Sequence, residues 1–486
     1  MPLLLALTFA ALLVHGYHPF AEDAEIYLPG VEKILNPNLF PVGQEFFSSH
    51  ASLTLFPNLV AWFVGGTHLP LEYTLFLWYI ASIFLLLLAC WELSGLCFSS
   101  VRARCAAVLM VAALLTIPVA GTALYIADQY LNPRDLAAFA GVFAVARSVE
   151  TKYGKALLWL VFAAAVHPLM WVFPFSFCVL LIAMRYYEQR SSGIGKRETV
   201  VGAALLFMVA IPLAPRTGVA YHEAAKLHSF HYIQNWAWYE WLGALAPIAL
   251  FWWFARIARA RGWRAMELVS GAFMIYDAIY FVAALALDLP PRFESLARLQ
   301  PLRSLHLLYM VMFLTIGGLL GEYVLKERVW RWLALFVPLA AGMWFAQGQL
   351  FPASAHVEWP GVEPRNRWAQ AFWWVRKSTP VDAVFALDPR YMAIAGEDEI
   401  GFRCLAQRSR LADAIKDNAV VSMFPLMADA WWAQVRSQSP WSKLQLSDFE
   451  NLKRQYGASW VVVQQPGVSG LECAYENGAV KVCRIP

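Results

Sequence analysis

Between Tyr73 and Trp91 the chain runs 19 residues without a charged side chain, and only Thr74 and Ser82 interrupt its apolar and aromatic character. A run of that length crosses a bilayer as a helix, because a helix satisfies its own backbone polar groups where no water is present to do so. Comparable runs recur as far as Leu350 of the 486 residues. Composition agrees: 59% of the residues are hydrophobic and 15% charged, against about 25% charged in a soluble domain. That is too little polar surface to cover a soluble globule of this size. Aromatic residues make up 15%, the opposite of a disordered composition. The net charge of +4 is spread along the chain, so no basic face for nucleic acid arises.

Eleven spans are expected: Met1–His15, Glu72–Cys97, Cys105–Gly121, Asp135–Val149, Ala156–Val166, Pro168–Met184, Thr199–Leu213, Trp241–Ala255, Ala265–Leu287, Leu305–Gly321 and Trp332–Leu350. The first lacks the basic start of a signal peptide and reads as an uncleaved span. Ala51–Val64 is also apolar, and the positive-inside rule decides against counting it. Left as an interfacial helix, it puts Arg102/Arg104, Arg147/Lys152/Lys155, Arg185/Arg190/Lys196/Arg197, Arg256/Arg259/Arg261/Arg264 and Lys326/Arg328/Arg331 on one side. The N-terminus is then inside and the C-terminus outside. The expected architecture is an α-helical polytopic membrane module, residues 1–351, with a long first outer loop over 17–71. A small extracytoplasmic α/β domain follows, residues 352–486. In it Trp368–Lys377 reads as a helix stopped before Pro380, and Asp382–Leu387 and Ser459–Gln464 read as buried strands.

Cysteine use adds one question. Cys473 and Cys483 flank Asn477-Gly478, a hairpin turn signal. A three-residue loop sets the two opposite each other and permits a disulfide, whereas a two-residue loop misses by one. No zinc-type Cys/His spacing, P-loop, GxSxG, HExxH or dinucleotide fingerprint is present.

Three outer-side stretches carry candidate chemistry. The first is His18-Pro-Phe-Ala-Glu22-Asp23-Ala-Glu25, directly after the first span. Carboxylates at a membrane surface can serve as bases or metal ligands, or simply favour the start of a helix. The second is Asp128-Gln-Tyr-Leu-Asn132-Pro133-Arg134-Asp135, a turn and helix start that places further acids on the same face as Asp23. The third is Arg298 to His306, where Arg303 and His306 share one helical face and arginine suits phosphate oxygens; snorkelling is the plainer reading. His167-Pro168 breaks a helix pair within the membrane, where a polar group is costly. His222 and His228 lie on an outer loop rich in tryptophan, as at any membrane interface.

Together these stretches resemble polytopic glycosyltransferases of the GT-C class. Glu22-Asp23-Ala-Glu25 matches the position of that class's acid after the first span. Leu35–Phe40 and Ala51–Val64 match its interfacial loop helices. Trp368 to Phe385 resembles the opening of several of its C-terminal domains, whereas the Trp-Trp-Asp-Tyr-Gly sequence of the oligosaccharyltransferase branch is missing. The resemblance implies a polyprenyl-phosphate sugar as donor and a glycan, lipid or protein as acceptor, with transfer by inversion. It implies Asp23 as the general base, and Arg303 with His306 or Arg298 as holders of the lipid phosphate. Glu22, Glu25, Asp128 or Asp135 would hold a divalent cation, Mg or Mn, as in some members. His167, His222 and His228 would border the cavity. The setting would be a bacterial inner membrane with the C-terminal domain in the periplasm. The other reading is a transporter or flippase of a lipid-linked glycan or other amphiphile.

Overall fold

The computed structural model describes residues 1–190, 218–288 and 291–486. Among these, helices long and apolar enough to cross a membrane occur within Leu71–Cys97, Pro168–Tyr187, Trp238–Arg261, Arg264–Asp288, Ser295–Leu325 and Val329–Leu350. The protein is an integral membrane protein. Pro2–His15 and Tyr153–Val166 are apolar but shorter. Among the described residues, six of the expected spans thus fall in helices of full length. Thr199–Leu213 lies outside the described residues. Cys105–Gly121 is corrected by a helix over Val101–Ala113, after which residues 114–132 form no helix.

In chain order the helices are α1 (Pro2–His15), α2 (Ala24–Leu35), α3 (Glu45–Ser52), α4 (Phe56–Thr67), α5 (Leu71–Cys97), α6 (Val101–Ala113), α7 (Pro133–Val149), α8 (Tyr153–Val166) and α9 (Pro168–Arg190). They continue as α10 (Val219–Leu227), α11 (Trp238–Arg261), α12 (Arg264–Asp288), α13 (Leu305–Leu320) and α14 (Val329–Leu350). The centre of the body is α7, in which every residue but Arg147 is buried. Its alanines and Gly141 let α5, α8 and α9 pack closely around it. A helix enclosed by protein need not match the bilayer thickness, which is why a span of 17 residues suffices here. His167 breaks α8 from α9 as expected, with Pro168 opening the second helix.

The basic loops meet at one end of the body. Arg102 reaches Glu327 at 2.5 Å, Arg147 pairs with Glu92 and Glu150, and Arg261 lies over the Tyr323 ring at 5.1 Å. The loops bearing Asp23, Asp128 and Arg303 lie at the opposite ends of their helices.

Within the first loop, Leu35–Phe40 is corrected. The helix there is α2, which ends at Leu35, and Pro37 follows in a turn. Ala51–Val64 is not one helix but the end of α3 and most of α4, separated by a break at Leu53–Leu55.

The C-terminal domain holds α15 (Arg367–Ser378), α16 (Phe402–Ala406), α17 (Lys416–Met423), α18 (Ala428–Ser437) and α19 (Leu446–Tyr456) around a five-stranded sheet. Its strands are β1 (Val384–Leu387), β2 (Ser409–Arg410), β3 (Trp460–Gln464), β4 (Glu472–Glu476) and β5 (Val480–Arg484), in the order β2-β1-β3-β5-β4. β1 runs parallel to both β2 and β3, whereas β5 is antiparallel to β3 and β4. β4 and β5 pair Glu476 with Lys481, a register that would leave the cysteines one residue apart, and a bulge between Cys473 and Tyr475 shifts it so that Cys473 faces Cys483 and the two form a disulfide. Backbone pairing stitches this domain to the first loop: Tyr17 with Val357, and Ala21 with Ile400.

Candidate active site

A cavity of about 550 Å³ opens where the first loop, the helix breaks and the C-terminal domain meet. Three carboxylates line it, Glu22, Asp23 and Glu399, together with the cations Arg134, Arg303, Arg390 and Lys416. The histidines His50, His167, His228 and His231 complete its polar wall.

Asp23 is at its focus. The Lys416 ammonium donates to Asp23 Oδ1 at 3.3 Å, and an Arg134 guanidinium nitrogen stands 3.7 Å from Oδ2. The Asp23 N–H donates to the Tyr130 hydroxyl at 3.3 Å. Burial works to raise this carboxyl, but the charges of Lys416 and Arg134 outweigh it and hold Asp23 down at about 2. Asp23 is therefore ionised throughout the physiological range. Glu22 behaves oppositely: burial, opposed by Lys416 and reinforced by Glu399 and Asp23, lifts it to about 8. Two adjacent carboxyls are thus pushed apart by their surroundings, an arrangement common at functional sites.

The backbone here is held under strain. Glu22 has φ of 50°, a left-handed conformation uncommon for a side chain of its kind. The C-terminal domain fixes it. The Glu22 N–H donates to the Glu399 carbonyl at 2.8 Å, and the Gly401 N–H donates to the Phe20 carbonyl at 2.8 Å.

Arg134 follows from its local sequence. Asn132 caps α7 by accepting from the Arg134 N–H at 2.9 Å, Pro133 fills the first helical position, and Asp135 lies in the first turn. Asp128 accepts two Arg134 bonds on Oδ2, at 2.6 and 3.2 Å. Asp128 and Asp135 are both buried and do not line the cavity; they support Arg134 from behind. Asp135 Oδ1 accepts the Asp128 N–H at 3.3 Å.

Arg303 differs from Arg134 and Lys416. Among the described residues it has no ion-pair partner within 4 Å, and its Nε is buried without a hydrogen bond. A left-handed turn at Gln300, φ 47°, and Pro301 lead the chain into the short helical turn that carries it. Arg303 is thus a largely enclosed cation facing the cavity with its donors unspent, and anions suit such a group.

The structure separates the remaining candidates. His167 and His228 reach the cavity; His222 does not line it. His228 accepts from Asn418 at 2.8 Å, and burial lowers it, like His50, to about 4, so both are neutral at pH 7. His306 does not accompany Arg303 in the main cavity; its Nε2 donates to the Ile126 carbonyl at 3.0 Å. Arg298 points elsewhere and donates to the Met423 carbonyl at 3.2 Å, tying the α12–α13 connection to the C-terminal domain. Glu25 is sequestered as well. It accepts from Arg410 at 2.9 Å and lies 3.5 Å from Arg403, both fully buried. Lys416, Glu399 and His50 were not legible as site residues, because nothing local in sequence marks them; tertiary packing alone delivers them.

The divalent cation fares poorly. Glu25 is taken by arginines, Asp128 by Arg134, and Asp23 by Lys416 and Arg134. No group of three or more potential ligands converges among the described residues. Of the four expected ligands only Glu22 lines the cavity, with Asp135 held behind Arg134, so the four do not assemble a metal site there.

No protein-family model matches the chain, and no curated protein matches it. Among its structural neighbours are structures of the oligosaccharyltransferase of Archaeoglobus fulgidus, AglB. One, in complex with an inhibitory peptide and a dolichol-phosphate, is 11% identical with a TM-score of 0.47 and covers 95% of this chain and 69% of that one. The apo form is 11% identical with a TM-score of 0.49 over the same shares. A complex with Zn and sulfate is 12% identical with a TM-score of 0.43, covering 95% of this chain and 68% of that one.

Proposed function

We propose that this protein is a membrane glycosyltransferase that moves a sugar from a polyprenyl-phosphate donor to an acceptor on the outer face, with inversion. The observation that carries the reading is Arg303: an enclosed guanidinium with no ion-pair partner within 4 Å among the described residues, in the same cavity as an ionised Asp23. One supplies a seat for a phosphate and the other a group to orient a nucleophile.

In this reading the phosphate of the donor lies against Arg303 and its lipid tail follows the apolar wall near Leu169 and Val166. The acceptor hydroxyl donates a hydrogen bond to Asp23. Its oxygen attacks the anomeric carbon from the face opposite the phosphate, the new C–O bond forms, and the old one breaks. The bonding pair leaves on the phosphate oxygen, whose charge Arg303 stabilises. Asp23 is a weak base, so proton transfer to it comes late, once bonding to carbon has made the acceptor oxygen strongly acidic. One displacement inverts the centre. The outer compartment is the periplasm if the membrane is a bacterial inner membrane.

The reading is tested by lipid-phosphate binding to purified wild type, Arg303→Ala and Asp23→Asn. Binding lost in the first variant and kept in the second supports it. No binding by wild type removes the donor and moves the transporter reading ahead.

A further inference from the structure

We infer that the Lys416 ammonium, supplied by the C-terminal domain, is the resident cation of this site and occupies the place a divalent metal would take. The inference rests on the glycosyltransferase reading for its catalytic meaning, but its geometry is independent of that reading.

Lys416 is badly placed for any purely local purpose. It is the first residue of α17, where the helix dipole is positive and disfavours a cation. Its side chain is 11% exposed, and an ammonium is costly to bury unless carboxylates compensate it. The compensation comes from outside its own element. Asp23 Oδ1 lies 3.3 Å from Nζ and Glu399 Oε2 lies 3.5 Å away. Glu22, also on the cavity wall, is the next carboxylate to act on it.

A rigid mount holds the lysine backbone. Asp413 Oδ1 accepts the N–H groups of Ile415, Lys416 and Asp417 at 2.9, 2.7 and 2.9 Å. Asp417 in turn accepts from Arg403 at 2.7 and 3.0 Å. Arg410 joins Asp413 to Glu25 on α2, two residues beyond Asp23. The same buried network therefore locks both the element that carries Lys416 and the element that carries Asp23. A monovalent point charge fixed beside Asp23 and Glu399 holds Asp23 ionised and offsets the two carboxylates on the cavity wall, which is what a metal ion would otherwise do. It also leaves Asp23 and Glu399 already engaged by a cation.

The test combines three measurements on the full-length protein in lipid nanodiscs. Titration with Mn²⁺, read by electron paramagnetic resonance, is expected to show no site that Asp23→Asn abolishes. Sugar transfer is expected to survive excess chelator undiminished. Lys416→Met is expected to cut transfer by about 100-fold or more, while Lys416→Arg, which keeps a donor and a charge, restores at least about a tenth of it. Thermal unfolding of both variants controls for folding, and the Arg variant alone suffices if the Met variant unfolds. An Mn²⁺ site lost in Asp23→Asn, chelator-sensitive transfer restored by Mn²⁺, or full activity in Lys416→Met would each overturn the inference. If wild type transfers no sugar at all, the glycosyltransferase reading fails, and the Mn²⁺ titration still decides what cation the site holds.

Discussion

Replacing Arg303 by methionine removes the guanidinium and keeps most of the volume of its stem. Arg303 makes no ion pair within 4 Å among the described residues, and Arg134 and Arg303 repel each other across the cavity. Among the described residues no ion-pair partner is orphaned by the change, so the unfolding temperature should move by no more than about 2 °C. Binding should behave differently. A hydrogen bond to a charged group is worth about 1.5–3 kcal/mol, which corresponds to about 10- to 150-fold in affinity. Arg134, Arg390 and Lys416 remain on the cavity wall, so the loss should fall inside that range rather than beyond it. Arg303→Lys keeps the charge but not the planar fork and should lose only about 3- to 10-fold. The assay is equilibrium binding of polyprenyl phosphate to purified protein in nanodiscs, followed by intrinsic tryptophan fluorescence. A folded Arg303→Met protein that binds the lipid phosphate as tightly as wild type would refute the assignment of the anion seat.

Other substitutions probe the supports of the site. Asp23→Asn should lower transfer by about 1,000-fold, because the acceptor proton then has no carboxylate to receive it, and polyprenyl-phosphate affinity should stay within about 3-fold. Comparable transfer by the variant would contradict its role. Glu25→Ala removes one carboxylate from Arg403 and Arg410, which keep Asp417 and Asp413, and should cost about 1–3 kcal/mol, seen as a lowered unfolding temperature; an unchanged one would show that Glu25 is dispensable to the network. Cys473→Ser opens a disulfide of sequence separation 10 and should destabilise the C-terminal domain by about 2–3 kcal/mol, which hydrogen exchange in β4 and β5 would report. Glu22 is raised to about 8 by burial, against Lys416 and with Glu399, Asp23 and Asp128 adding to the rise. Its protonated form is favoured in the folded state, so the stability it contributes is present below its unfolded value and is lost as pH rises through about 8. The new negative charge should also weaken lipid-phosphate binding above that pH, an effect that Glu22→Gln should abolish.

The helical body was readable because apolar runs and basic loops are local, repeated signals. The breaks at His167-Pro168 and Asn132-Pro133 fell where proline chemistry puts them. Span lengths were less readable: α6 stops at Ala113 because the chain beyond it is enclosed by protein, where no bilayer thickness dictates length. In the site, Asp23, Glu22 and Arg303 were visible as charges beside span ends. Glu25 looked equivalent to Asp23 in sequence, yet two residues' difference on α2 turns it toward Arg403 and Arg410 rather than the cavity. His306 and Arg298 neighbour Arg303 in sequence, yet the fold turns His306 Nε2 to the Ile126 carbonyl and an Arg298 nitrogen to the Met423 carbonyl. Lys416 lies 393 residues from Asp23, and no short-range pattern announces such a contact.

The most direct test of the account is transfer itself. Purified protein in proteoliposomes would be given a panel of polyprenyl-phosphate monosaccharides labelled in the sugar, with membrane lipid and glycan acceptors, and the product's anomeric configuration determined. The account predicts that wild type consumes at least one donor and yields an inverted product, and that Asp23→Asn does not. Retention at the anomeric centre, or lipid phosphate bound and carried across the bilayer with every donor left intact, would contradict it.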